Sequence, residues 1–207
     1  MMGLFDFLFP PRVDEIALRE VSLDEFLALM KPRVVPDTRP ETVVLLPFHI
    51  PSVRSALHEA KYRGNECAFR LLGSALAEYL RDIDDNYGSR KSIILVPVPL
   101  GKERLKERGF NQVEEVACRA LRSLDGHFIL NSNLLERIKE TQSQVSLERR
   151  RREENMRGAF KATRRADPAC TYIVIDDVIT TGATLQAAVN ALREAGAEHV
   201  IPLALAH

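Results

Sequence analysis

The stretch Tyr172-Ile173-Val174-Ile175-Asp176-Asp177-Val178-Ile179-Thr180-Thr181-Gly182-Ala183-Thr184 decides how this chain is read. Its first four residues are apolar and uninterrupted, three of them β-branched, which is the pattern of a buried strand. The run ends in two adjacent carboxylates, Asp176 and Asp177. A turn rich in hydroxyls then opens a helix at Thr180 to Thr184. Strand, acidic pair, small-residue turn and helix start are the parts needed to hold a phosphorylated sugar at the end of a parallel sheet.

Other phosphate-handling motifs compete for the same strand. An acidic strand also belongs to P-loop NTPases, but G-x-x-x-x-G-K-[ST] is absent, and Gly101-Lys102 lies outside any such motif. There is no G-x-G-x-x-G, which argues against a dinucleotide fold. The five histidines (His49, His58, His127, His199, His207) are scattered, so a metal hydrolase finds no ligands beside the acids. An Asp-capped turn with incidental threonines is the bland alternative. Phosphate binding at a helix N-terminus accounts for glycine, hydroxyls and acids together.

Composition sets the wider bounds. The 207 residues are 45% hydrophobic and 28% charged, ordinary for a globular protein with a sizeable core. Twenty-nine basic residues balance twenty-nine acidic ones, so an anionic ligand has to be met by a local cluster rather than by bulk charge. Cys67, Cys118 and Cys170 are isolated and odd in number, which fits neither a disulfide framework nor a zinc knuckle. No apolar run approaches membrane-spanning length, and Met1-Met2-Gly3 lacks a basic n-region. A cytoplasmic protein is expected.

Outward from the acidic strand, the chain alternates strands and helices. Residues 1–40 read as an appendage: an aromatic lead-in at Leu4 to Phe9, a capping box at Ser22 and Glu25, then Leu23, Phe26, Leu27 and Met30 at helical spacing. Pro32, Pro36 and Pro40 read as a stiff connector to a domain spanning 41–207. Val43 to Leu46 is a strand candidate. Asn65 caps a helix with an apolar stripe from Ala68 to Leu80, and Lys61-Tyr62-Arg63-Gly64 before it reads as a basic turn facing an anion or water, with water favoured by the pattern alone. Ser92 to Val96 is a second buried strand, running into Pro97-Val98-Pro99-Leu100-Gly101 and a cationic loop with Lys102, Arg104, Lys106 and Arg108. A helix from near Phe110 buries Val113, Val116, Ala117, Ala120 and Leu121, and Leu134 to Ile138 is a short strand. Lys139 to Arg157 is polar, with Arg149 to Arg152 read as a solvated face or an anion contact. After the acidic strand, a helix burying Leu185, Ala188, Val189 and Leu192 closes at Gly196. Val200 to Leu205 is a last strand, placed at an edge by Pro202. The fold class is α/β, a parallel sheet flanked by helices with a small N-terminal helical appendage.

These residues assign roles for phosphoribosyl binding. Backbone N–H groups of Thr180, Thr181, Gly182, Ala183 and Thr184 meet a 5′-phosphate. Asp176 and Asp177 accept from the two ribose hydroxyls and help hold Mg²⁺. Lys102, Arg104 and Arg108, on the loop that Pro99 stiffens, face a pyrophosphate at C1′.

The stretch Val174 to Thr184 resembles the phosphoribosyl pyrophosphate (PRPP) signature of type I phosphoribosyltransferases. Pro97-Val98-Pro99-Leu100, Arg108-Gly109-Phe110-Asn111-Gln112, Thr141 with Gln144, Arg152 with Asn155 and Gly158-Ala159-Phe160, and Lys61-Tyr62-Arg63-Gly64-Asn65 resemble the ComF/GntX-type competence family. The likeness covers about residues 43–206, in the family's order. It implies displacement of Mg²⁺-pyrophosphate at C1′ through an oxocarbenium-like state, with Arg108 and the acidic pair at the reacting centre. It also implies a type I phosphoribosyltransferase-like sheet, with Lys139 to Arg157 in the place of a mobile hood loop, and a link to DNA uptake. The partners implied are PRPP, an unidentified acceptor, a DNA-uptake helicase or single-stranded DNA, and a second copy in a homodimer, with no membrane. Two other readings stand beside this one: a non-catalytic PRPP- or nucleotide-binding regulator or adaptor, and a salvage enzyme for a pyrimidine or other base. Family members commonly continue the lead-in into a cysteine zinc ribbon. Val13 to Met30 has no cysteine, so no zinc and a helical replacement are expected. Thr180 stands where 6-oxopurine salvage relatives usually have an acid, which argues against that acceptor.

Overall fold

The structure is a computed structural model, and it describes Leu18 and residues 20–36, 38–87, 92–124, 128–139 and 156–207. Thr141, Gln144, Arg149 to Arg152 and Asn155 lie outside the described residues. The first elements are α1 (Leu23–Leu27), β1 (Arg33–Val35), β2 (Thr42–Leu46), α2 (Pro51–Arg63) and α3 (Glu66–Tyr87). Then come β3 (Ile93–Pro97), α4 (Lys102–Arg108), α5 (Gln112–Leu121), β4 (Phe128–Leu130) and β5 (Leu135–Arg137). The chain ends with β6 (Phe160–Ala162), β7 (Thr171–Val178), α6 (Ala183–Glu194) and β8 (His199–Ala206).

The fold is α/β. Six strands form one sheet in the order β1-β2-β8-β7-β3-β4, parallel throughout except for β1, while β5 and β6 make a separate antiparallel hairpin. β7, the acidic strand, lies inside the sheet. It pairs with β8 from Thr171–His199 to Val178–Ala206 and with β3 from Ile93–Thr171 to Pro97–Ile175. Side chains on β7 alternate between faces. Ile173 and Ile175 pack with the α2, α3 and α5 side, whereas Tyr172 and Val174 pack with α6 and the β5–β6 hairpin. The same alternation directs Asp177 towards α2 and α5 and Asp176 towards the hairpin.

Capping chemistry sets several helix starts as the sequence implies. The Asn65 side chain accepts from the N–H groups of Cys67 and Ala68, and Ala68, Leu71, Leu72, Ala75, Leu76 and Leu80 are fully buried. Ser22 and Glu25 form the reciprocal capping box of α1. Asn111, one residue beyond Phe110, caps α5.

Elsewhere the structure corrects the sequence. Lys61-Tyr62-Arg63 is the last turn of α2, a helix set up by Pro51 at its first position and ended by Gly64 in the left-handed region. Its buried stripe, Val53, Ala56, Leu57 and Ala60, has helical spacing. The cationic segment after Pro99 is also helical, as α4 between Gly101 and Gly109. Arg33–Val35, read as connector, adds antiparallel to β2, and Phe128–Leu130 adds a further strand beyond β3. The strand expected at Leu134 pairs with β6 rather than with the main sheet. β8 is internal. Its pairing to β2 begins at Leu203, so at Pro202 a neighbour is paired on the β7 side alone, and the proline is tolerated there.

α3 and α5 pack closely because Gly73 carries no side chain. A Cβ built there would lie 2.7 Å from Arg119 Cβ and 3.3 Å from the Val116 carbonyl. Helix propensity alone says Gly73→Ala stabilises by about 1 kcal/mol. Packing overrides it, and the expected outcome is destabilisation by about 1–3 kcal/mol in denaturant unfolding. A raised midpoint would show that the two helices part freely.

Candidate functional site

The acidic pair lies within β7 rather than after it, since pairing to β8 continues through Asp176 and Val178. Each carboxylate is therefore fixed by strand geometry and points to its own face. On the α2–α5 side, Asp177 Oδ2 accepts from Gln112 Nε2 at 2.7 Å and pairs with Lys61 Nζ at 3.1 Å. Its other oxygen accepts from the Val178 N–H at 2.7 Å. The Asp177 side chain is 13% exposed and that of Lys61 28%, so the pair is largely removed from water.

The contacts continue outward. Arg108 Nη1 donates to Gln112 Oε1 at 3.0 Å, and the Arg108 guanidinium lies 5.1 Å from the ring centre of the exposed Tyr62. Phe110 packs edge-on against Phe69 and sits 3.4 Å from a Cβ built on Gly64. Asn111 both caps α5 and donates to the Val98 carbonyl at 3.0 Å. Two segments separated by some forty-five positions (Lys61 to Asn65 and Arg108 to Gln112) thus close over Asp177 as one unit.

Asp176 has a different environment. Burial and the neighbouring Asp177 charge push its carboxyl up to about 7, against the Asp177 N–H that it accepts at 2.9 Å and the Lys61 and Arg137 charges, which favour ionisation. Near neutral pH the pair therefore carries less than two full negative charges.

Behind the acids, Gly182 is the N-cap of α6 at φ 81°, and no side chain caps the helix. The glycine is required twice over, by its left-handed backbone and by the approach of the 38–39 segment. A Cβ there would lie 3.1 Å from the Arg39 carbonyl and 3.2 Å from Thr38 Cβ. Thr181 Oγ1 accepts from the Ala183 N–H at 3.4 Å. Thr180 is exposed, Thr181 and Thr184 are half-buried, and Ala183 is buried. The turn offers hydroxyls and a helix N-terminus side by side, which suits an anion.

The structure places the other sequence candidates unevenly. Arg108 reaches the acids through Gln112. Pro99 and Lys102 line an open cleft beside α4, and Arg104 is half-buried on that helix. Lys61, read as facing water, is instead paired with Asp177. Gln112 and Arg137 were not assigned roles, although Gln112 sits within a quoted motif. No local signal marks Arg137. Among the described residues no three His, Cys, Asp or Glu side chains gather as a metal cage. The cysteines are free, and burial pushes the Cys118 and Cys170 thiols up, so neither offers a ready thiolate.

A mostly parallel sheet with helices on both faces, a separate hairpin against α6, and an acidic strand feeding a glycine-capped helix define a phosphoribosyltransferase-like α/β protein. No family model matches the chain. It is similar to Competence protein F of Haemophilus influenzae, 28% identical over 163 residues that span 77% of this chain and 70% of that protein. It is also similar to Competence protein ComFC of Bacillus subtilis, 31% identical over 145 residues, 70% of this chain and 55% of that one, so it spans just over half the length of the second relative. The likeness to both relatives supports a ComF-type competence family for this chain. No helix among the described residues is long and apolar enough to cross a membrane.

The raised Asp176 pKa has a thermodynamic consequence. Between 3.8, the ordinary value, and about 7, the folded state holds a proton that the unfolded chain has released. Stability therefore falls as pH rises through that window, by at most about 1.4 kcal/mol per unit. Asp176→Asn is expected to remove that decline and to raise Tm at pH 8 by a few degrees, read by scanning calorimetry from pH 4.5 to 8. A wild-type Tm that rises across the same window would contradict the assignment.

Proposed function

We propose that this protein binds PRPP with Mg²⁺ in the cytoplasm and transfers its phosphoribosyl group to an acceptor in a process linked to DNA uptake. The observation that carries this reading is the position of the acidic pair. Asp176 and Asp177 stand at the carboxyl end of an internal parallel strand, one turn from the start of α6, with Lys61 and Gln112 on Asp177 and Arg108 on Gln112.

Each part of PRPP meets a suitable group. The 5′-phosphate accepts from backbone N–H groups and hydroxyls at Thr180, Thr181, Gly182, Ala183 and Thr184. The ribose hydroxyls donate to Asp176 and Asp177. Arg108 on the network, with Lys102 and Arg104 on the same helix, supplies positive charge for the departing diphosphate. Asp176 and Asp177 would supply carboxylate oxygens to Mg²⁺, which takes one or two protein carboxylates when substrate phosphates and water complete its shell. When bound, Mg²⁺ would neutralise the diphosphate. The chain's own work is to position: Asp177 is fixed by Lys61 and Gln112 before any ligand arrives, so little side-chain freedom is lost on binding.

The DNA-uptake role follows the two relatives, whose names are those of competence proteins. A DNA-uptake helicase, single-stranded DNA and a second copy of the chain are the partners to test. Single-stranded DNA affinity that falls steeply with salt would mark direct contact through the basic segments.

Calorimetry with Mg²⁺ and PRPP tests the site. Wild type binds, and the Asp176→Asn/Asp177→Asn double variant binds at least about tenfold more weakly, a loss of about 1.4 kcal/mol or more. Equal affinity in the double variant would remove the acids from the site. Wild-type affinity rises between pH 6 and 8 as Asp176 gives up its proton, and Asp176→Asn flattens that rise. Pyrophosphate release across a panel of acceptors separates the two classes. Release identifies a transferase, and binding without release by any acceptor identifies a PRPP-responsive regulator or adaptor.

A further inference from the structure

Among the described residues, three donors share the Asp177 carboxylate: the Val178 N–H on one oxygen, and Gln112 Nε2 with Lys61 Nζ on the other. We propose that Lys61 exchanges partners when ligands bind. It yields its place on Asp177 to Mg²⁺ and carries its ammonium to the diphosphate of PRPP. The inference rests on the PRPP reading and gives that site a further substrate-binding residue.

Freedom to move separates the three donors. The Val178 N–H is backbone, in a strand still paired to β8 at Ala206. Gln112 is 4% exposed in the first turn of α5, and Arg108 Nη1 holds its other end at 3.0 Å. Lys61 stands in the last turn of α2, just before Gly64 ends that helix, and its side chain is 28% exposed. It reaches Asp177 by a point charge at the end of a flexible four-carbon stem, so its departure breaks no bidentate fork. Lys61 is therefore the donor that leaves, while Gln112 keeps the carboxylate in position.

Charge decides when it leaves. The Asp177 side chain is 13% exposed, and a negative charge so far out of water is destabilising when unpaired. The lysine accordingly stays until another cation replaces it. A metal ion that arrives alone is opposed by the ammonium, because two cations on one half-dry carboxylate repel strongly. Exchange of one cation for another removes both difficulties, provided the ammonium has an anion to meet.

The surroundings of Lys61 show where that anion would be. Lys61 Nζ lies 6.0 Å and Arg108 Cζ 5.1 Å from the centre of the same Tyr62 ring. Cations from two helices thus converge beside one aromatic side chain. A diphosphate drawn to Arg108 lies within the sweep of a Lys61 stem released from Asp177. Lys61 then opposes the metal in the empty site and favours the filled one, so its loss has opposite effects on the two ligands. A lysine that merely orients Asp177 would, when lost, weaken both.

The test uses the full chain. Mn²⁺, as a probe of the metal position, is titrated alone and followed by the loss of its free-ion paramagnetic resonance signal, and PRPP with Mg²⁺ is titrated by calorimetry. Lys61→Met is expected to bind Mn²⁺ at least about threefold more tightly and PRPP at least about tenfold more weakly. Lys61→Gln, neutral but still able to donate to Asp177, is expected to repeat both signs and carries the test if the methionine variant does not fold. Arg63→Met, an equal loss of charge at an exposed position in the same turn, is expected to leave both affinities within about twofold. Weakening of both ligands, or an unchanged affinity for either one, overturns the exchange. A wild type that binds no PRPP overturns the PRPP reading itself, which separates that failure from a failure of Lys61 alone.

Discussion

One carboxylate oxygen, Asp177 Oδ2, takes both the Lys61 ammonium and the Gln112 amide, and much of the site depends on that double contact. The three residues come from the last turn of α2, the first turn of α5 and the middle of the sheet. Without the lysine, an ionised Asp177 would face a second carboxylate across one peptide, largely out of water. With it, Asp177 has a compensating charge, and the cost of crowding falls on Asp176, whose carboxyl is raised to about 7. The result is two adjacent acids in different settings: Asp177 paired with a lysine and an amide, and Asp176 with its carboxyl pushed up by burial and its neighbour's charge. Burial and pairing together create that asymmetry from identical side chains.

The sheet makes this arrangement possible. Alternation along β7 separates the two carboxylates onto opposite faces, so each meets a different set of neighbours although they are adjacent in sequence. Glycines then set how near the surrounding backbone can come. Gly64 ends α2 in the left-handed region and leaves room for Phe110, which keeps Lys61 and Gln112 on the same acid. Gly182 does the same for the turn before α6, where a Cβ would sit 3.1 Å from the Arg39 carbonyl and the left-handed backbone already disfavours a side chain.

How much of this is legible in sequence depends on how local the cause is. The acidic strand, the turn, the Asn65 and Ser22 caps and the α3 stripe are set by neighbours within a few positions, and each appears in the fold. Lys61 shows the opposite case. A basic turn before a capped helix favours water as its neighbour, and only the packing of α2 against the sheet brings Lys61 to an aspartate 116 positions away. Gln112 looks like an unremarkable first-turn residue until α5 is docked. The segment after Pro99 reads as loop because prolines precede it, yet Gly101 and Gly109 bound a helix of charged residues with good intrinsic propensity. Pro202 misleads for a related reason: edge or centre is a property of the neighbours' lengths, and pairing to β2 begins only at Leu203, one residue past it.

The network also links groups that would contact opposite ends of a ligand. Arg108 bonds Gln112, and Gln112 bonds Asp177, so a guanidinium and a carboxylate of the acidic pair share one amide side chain. Gln112 is buried at the start of a capped helix and has little freedom to re-form these bonds elsewhere. An anion that draws Arg108 off the Tyr62 ring therefore loosens one bond to Gln112 and leaves its other bond to Asp177 unshared. Conversely, a hydroxyl that donates to Asp177 competes with Gln112 and Lys61 for the same oxygen, and a displaced lysine carries its charge towards the nearest anion. Two ends of one ligand that each release what the other needs would bind better together than apart, and this coupling requires no moving domain, only a shared side chain.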